Sequence, residues 1–93
     1  MPSFECSLSF VSPQKIAGLN KKYRAIDAPT DVLSFPLWSR KEIKKLLHSQ
    51  AIGNDAILLG DIVICRAIAK KKGYSVKFLT MHGILHLLGH HHR

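Results

Sequence analysis

The stretch Ser75-Val-Lys-Phe78-Leu79-Thr-Met81-His82-Gly83-Ile84-Leu85-His86-Leu-Leu88-Gly89 decides how the fold is read. Ser75 is a helix N-cap, because its hydroxyl can accept an N–H that the first turn leaves free. Phe78, Leu79, Met81, Ile84, Leu85 and Leu88 then give a broad apolar face, which predicts a mostly buried helix. Gly89 stops it, since glycine adopts the left-handed backbone without cost. His82 and His86 interrupt the apolar surface. Four residues advance roughly 400° around a helix and about 6 Å along it, so both imidazoles project from one face. Two buried imidazoles would each need a polar partner, and one metal ion satisfies both. Gly89 lets the chain reverse, so that His92 can supply a third ligand. Three imidazoles suit Zn²⁺, one per chain, with a fourth position left to water in a catalytic site.

Working outward, Arg66 to Lys72 reads as a helix closed by Gly73, with Lys70 to Lys72 at the end that favours cations. Ile57 to Ile64 reads as a β segment interrupted by Gly60 and Asp61. Gly53, Asn54 and Asp55 are turn residues. Ser39 can cap a basic helix whose apolar stripe is Ile43, Leu46 and Leu47. Val32, Leu33 and Phe35 form a short β run that Pro36 ends, after a loop from Ala25 to Thr30. Ser12-Pro13 starts a helix with Ile16, Leu19 and Tyr23 on one stripe. Phe4, Cys6, Leu8 and Phe10 alternate with polar residues, as in a strand with one buried side. The expected fold is α+β: a single domain over residues 1–93, with a small mixed β-sheet packed with three to four helices. Its C-terminal helix carries histidines at the spacing of the zinc-protease motif His-Glu-x-x-His. Gly83 stands where that motif has its glutamate base, which argues against a peptidase. The glycine leaves room for a close backbone approach or for a phosphate near the metal.

Composition narrows the function. The 93 residues hold 14 Lys plus Arg against 6 Asp plus Glu, a formal charge of +8. Such an excess points to a polyanion, with nucleic acid ahead of an acidic membrane surface. Lys21, Lys22, Arg40 and Lys41 are candidate phosphate contacts, as are Lys44-Lys45 and Lys70 to Lys72. Tyr23 and Phe35 sit on apolar stripes and read as core. Trp38, in a loop after Pro36, is the aromatic expected to stack on a base. No apolar run approaches the roughly 20 residues of a membrane span, and the N-terminus lacks the order of a signal peptide. Cys6 and Cys65 read as reduced core residues, which fits a cytoplasmic protein.

Three segments together resemble the YbeY family, zinc-dependent endoribonucleases of ribosomal RNA maturation. The first is Arg24-Ala-Ile-Asp27-Ala-Pro29-Thr30-Asp31-Val32-Leu33-Ser34-Phe35-Pro36, against the family's R-x-x-D-x-P-T-D-V-L-S-F-P. The second is Leu59-Gly60-Asp61-Ile62-Val63-Ile64. The third is His82-Gly83-Ile84-Leu85-His86-Leu87-Leu88-Gly89-His90-His91-His92, against H-G-x-L-H-L-L-G-x-D-H. The resemblance implies single-strand-specific cleavage of RNA phosphodiesters in ribosomal RNA processing and ribosome quality control. It makes His82, His86 and His92 the zinc ligands and puts Arg24 on the family's functional arginine. It implies ribosomal RNA as partner, beside small-subunit ribosomal proteins. Asp31 and Asp61, which flank β segments, are candidates to orient a ligand histidine; a turn or cap role is the alternative for each. Water and the RNA's own 2′-hydroxyl are both open as nucleophile. His91 replaces the family's aspartate, and the chain is short at both ends. The competing reading is therefore a non-catalytic member that keeps a structural zinc and binds ribosomal RNA.

Overall fold

The apolar run Ala56–Ile64 forms the central strand of the sheet in a computed structural model that describes residues 3–48 and 56–89. In chain order the elements are β1 (Ser3–Phe10), α1 (Pro13–Arg24), β2 (Val32–Pro36), α2 (Arg40–His48), β3 (Ala56–Ile64), α3 (Arg66–Lys72) and α4 (Val76–Leu87). The sheet order is β1-β3-β2, with β1 parallel and β2 antiparallel to β3. The architecture is thus α+β, a three-stranded mixed sheet with four helices. The expected turn at Gly53 to Asp55 lies outside the described residues.

Both faces of β3 carry core residues, while Leu58 and Asp61 stay exposed. On one face Val63 joins Ile16, Leu33 and Cys65 in a cluster that Leu19 of α1 packs against. On the other, Leu59, Ile62 and Ile64 pack with Ile43 of α2, Ala69 of α3, and Leu79 and Leu87 of α4. Ile62 is fully buried, and burying one such side chain is worth about 1.5–3 kcal/mol. Gly60 and Asp61 do not interrupt this strand. Leu58 pairs with Glu5 and Gly60 with Cys6, so Leu59 is the extra residue of a bulge. Gly60 has φ 151°, and a Cβ there would lie 2.3 Å from the Phe35 carbonyl oxygen.

The helix ends follow local chemistry. The Ser12 and Ser75 hydroxyls accept the N–H groups of Lys15 (3.1 Å) and Phe78 (3.0 Å). Ser39 and Glu42 form a reciprocal capping box: Glu42 N–H donates to the Ser39 hydroxyl at 3.1 Å, and Ser39 N–H donates to the Glu42 carboxylate at 2.9 Å. The Ser39 backbone and side-chain hydrogen bonds hold that carboxyl below the usual carboxylate range. Gly73 ends α3 with φ 79°. Ala25 ends α1 in the left-handed region with φ 58°, where a Cβ is unfavourable.

Two burial expectations are corrected. Leu8 and Phe10 are exposed, although Phe4 and Cys6 on the same side of β1 pack on the core. The Arg66 guanidinium lies over the Phe10 ring at 3.8 Å. In α4 the buried stripe is Leu79, Gly83 and Leu87, while Phe78, Met81 and Leu85 are exposed. The helix is apolar on most sides, so its closest contact decides which side turns inward. That contact is Gly83, where a Cβ would meet three carbons of Ile62 at 2.9–3.1 Å. The space at Gly83 is therefore filled by the core.

Gly83→Ala is expected to lose about 1–2 kcal/mol, because overpacking outweighs the roughly 1 kcal/mol that alanine gains in a helix. In an Ile62→Ala background the same substitution should be neutral or stabilising. Equal losses in both backgrounds by urea denaturation would show that the contact does not set the packing.

Candidate active site

The site is built where the end of α1, the loop before β2, the strand β2 and one flank of α4 converge. Asn20 organises the first part. It is buried at the α1 surface, and its side-chain amide donates to the Ala28 carbonyl at 2.9 Å. Its backbone carbonyl accepts the Ile26 N–H at 3.3 Å. The 25–28 loop is thereby tied back onto α1, which fixes the exit of Tyr23 and Arg24. A polar residue one turn after Ile16, on the stripe that faces the sheet, was the available signal for this clamp.

Asp31 anchors the start of β2. Its Oδ1 accepts the Val32 N–H at 2.9 Å and the Thr30 hydroxyl at 3.2 Å, and Lys72 Nζ lies 3.9 Å from it. Its backbone carbonyl accepts the Cys65 N–H at 2.9 Å. Asp31 thus joins β2, the start of α3 and, through Lys72, the end of α3. The turn role is what its geometry displays, at a position that also borders the cleft.

A cleft of about 530 Å³ opens between these parts. It is lined by Tyr23 and Arg24 from the end of α1, Thr30 and Asp31 from the loop, residues of β2, and His82, Gly83 and His86 of α4. The His82 and His86 ring centroids are 4.6 Å apart, as helical spacing requires. Arg24 is exposed and opens into the same space. The two acids nearest to it in sequence are engaged elsewhere, Asp27 with Lys21 at 3.8 Å and Asp31 with Lys72 at 3.9 Å. Residues 58 positions apart in sequence are so brought to one cleft.

Other candidates fall outside it. Asp61 is exposed in a shallower groove with Ser7, Ser9, Leu19 and Tyr23, on the α1 side of the sheet, so it is not placed to orient an α4 histidine. Trp38 is half-buried against the core, and its indole N–H donates to the Leu58 carbonyl at 2.8 Å. That wedge role leaves it outside the cleft. Tyr23 is not core: it is exposed, meets Phe35 edge-on at 5.0 Å and carries the Lys22 ammonium over its ring at 5.2 Å. Arg40 and Lys41 open α2 away from the cleft lining, and the Arg40 stem packs on Gly89, whose φ is 95°. His92 lies outside the described residues. Among the described residues no three His, Cys, Asp or Glu side chains are grouped to hold a metal. The His82–His86 pair nevertheless suits zinc in donor type and spacing.

The described residues form an α+β fold in which Arg24 and the two α4 histidines line one cleft. The family described as Endoribonuclease YbeY matches residues 1–93, and the chain belongs to that family. Curated relatives called Endoribonuclease YbeY include one from Caldanaerobacter subterraneus, 44% identical over 95% of this chain and 61% of the relative. Another, from Caldicellulosiruptor saccharolyticus, is 45% identical over 97% of this chain and 61% of the relative. A third, from Pelotomaculum thermopropionicum, is 40% identical over 96% of this chain and 59% of the relative. The chain spans about three-fifths of the length of these relatives.

Asp31→Ala should cost about 1–3 kcal/mol, since the Val32 N–H would lose its acceptor in a part-buried position. Asp31→Asn keeps an acceptor oxygen and should recover most of that loss. Equal melting temperatures for Asp31→Ala and the unaltered protein would contradict the anchoring role.

Proposed function

We propose that this protein is a metal-dependent endoribonuclease that cleaves single-stranded RNA in ribosomal RNA processing and ribosome quality control, in the cytoplasm. The observation that carries the reading is the convergence of Arg24 with His82 and His86 on one cleft. Family membership supports the reaction class: the relatives are named endoribonucleases. Ribosomal RNA is the substrate, with small-subunit ribosomal proteins as neighbours during its maturation.

His82 and His86 would hold one Zn²⁺, with His92 as the third ligand. Zinc at such a site supplies Lewis acidity toward a phosphoryl oxygen and lowers the pKa of water toward about 7. Arg24 does the work on the substrate side. Its planar fork donates two hydrogen bonds to the scissile phosphate and neutralises charge as it accumulates on the oxygens. The +8 charge draws the polyanion in. Lys21, exposed beside Arg24, and Lys22, over the Tyr23 ring, extend the positive rim. The attacking group is water or the neighbouring 2′-hydroxyl, and the products distinguish them, because attack by the 2′-hydroxyl leaves a cyclic phosphate.

Zinc analysis of purified protein should give one ion per chain, and His86→Ala should lose both the ion and RNA cleavage. Unchanged zinc stoichiometry in His86→Ala would refute the ligand assignment. Arg24→Ala should keep the zinc and slow cleavage about 10²–10³-fold, with Arg24→Lys rescuing only in part. If turnover per zinc-loaded molecule is the same in Arg24→Ala as in the unaltered protein, Arg24 does not act on the phosphate. Zinc binding and RNA binding without any cleavage would instead favour a non-catalytic member with a structural metal.

A further inference from the structure

The flank of α4 that was expected to be buried carries aromatic rings in register with the two histidines. Tyr74 and Phe78 are stacked, with centroids 5.2 Å apart and planes inclined by 19°. Phe78 and His82 continue the series at 6.2 Å and 16°, and His82 meets His86 at 4.6 Å. The four residues are spaced by four, so a single ladder runs from the start of α4 into the cleft. Tyr74 and Phe78 are 46% and 52% exposed, and Met81 and Leu85 are exposed on the same helix, so the rings belong to a contiguous apolar stretch of surface, the kind that marks an interaction site.

The surroundings of the ladder indicate its ligand. Lys70, Lys71 and Lys72 immediately precede it, Lys77 lies within it, and Lys72 reaches Asp31 on the cleft rim. No Asp or Glu occurs after Asp61 in the sequence. An acidic strand bearing planar apolar rings matches that combination of cations and aromatic faces, because bases stack on side-chain rings while phosphates meet lysines. We propose that Tyr74, Phe78 and His82 form a stacking platform for unpaired nucleobases, which holds the strand whose phosphate enters the cleft at Arg24. The proposal rests on the endoribonuclease reading and adds to it the means of selecting single strands: bases within a duplex are already stacked and cannot lie on the rings.

The test is binding of oligothymidylate by the intact chain, beside an abasic strand with the same number of phosphates, measured by fluorescence anisotropy at one salt concentration. A deoxy strand presents the same π-faces and cannot be cut by its own 2′-hydroxyl, and recovery of the intact strand on a gel after each titration shows that binding is measured apart from hydrolysis by water. The unaltered protein should prefer the strand with bases. Phe78→Leu should weaken that binding about tenfold and leave the abasic strand unaffected, and Phe78→Tyr should restore it. Tyr74→Leu, at a site in the short link before α4, should act in the same direction. Equal affinities of the unaltered protein and both leucine variants, or equal losses on the two strands, would overturn the platform. RNA cleavage by the unaltered protein is scored separately. Cleavage without base preference sinks the platform alone, and base preference without cleavage supports the platform while removing the endoribonuclease reading.

Discussion

The arrangement of the site depends on the contact between Gly83 and Ile62. A side chain at position 83 would stand within 2.9–3.1 Å of three Ile62 carbons, so α4 can approach β3 this closely only through glycine. The approach turns Leu79 and Leu87 inward with it. His82 and His86, on the adjoining flank, are then carried to the rim of β2. A second glycine contact supports the same seating: a Cβ on Gly60 would lie 2.9 Å from a Leu87 methyl. Core packing and the position of the imidazoles are therefore consequences of one helix–sheet approach, and loosening it would shift both.

The opposite wall of the cleft is held by hydrogen bonds. Asn20 ties the loop to α1, and Asp31 ties the start of β2 to Cys65 and Lys72 at the two ends of α3. Between the two walls runs β2, a short edge strand paired on one side with β3. The histidine-bearing wall is fixed by apolar packing, and the wall that carries Arg24 by a hydrogen-bond network that leaves Arg24 exposed.

Features governed by neighbours in sequence were legible from the sequence. The serine caps at Ser12, Ser39 and Ser75, the glycine stop at Gly73 and the pairing of His82 with His86 on one face all follow from short-range geometry. What depends on which surface meets which was not. In α4 apolar residues surround most of the axis, so hydropathy alone could not choose between the Leu79–Leu87 stripe and the Phe78–Leu85 side. Trp38 looked like a loop aromatic, but Leu58 is its hydrogen-bond partner 20 residues away. Asp61 follows Gly60 in a strand whose alternation directs it to the α1 side of the sheet, away from the histidines that it was a candidate to orient. Tyr23 fell on the apolar stripe of α1, yet it lies near the helix end, where the sheet no longer covers it.

The proposed function makes the helix histidines and Arg24 one metal-dependent ribonuclease site. It is tested most directly by stripping the purified protein with a chelator and restoring zinc stepwise while cleavage of a single-stranded RNA is followed. Cleavage should disappear with the metal and return in proportion to zinc up to one equivalent per chain. Cleavage that persists in metal-free protein, or that stays absent after one equivalent of zinc is bound, would contradict it.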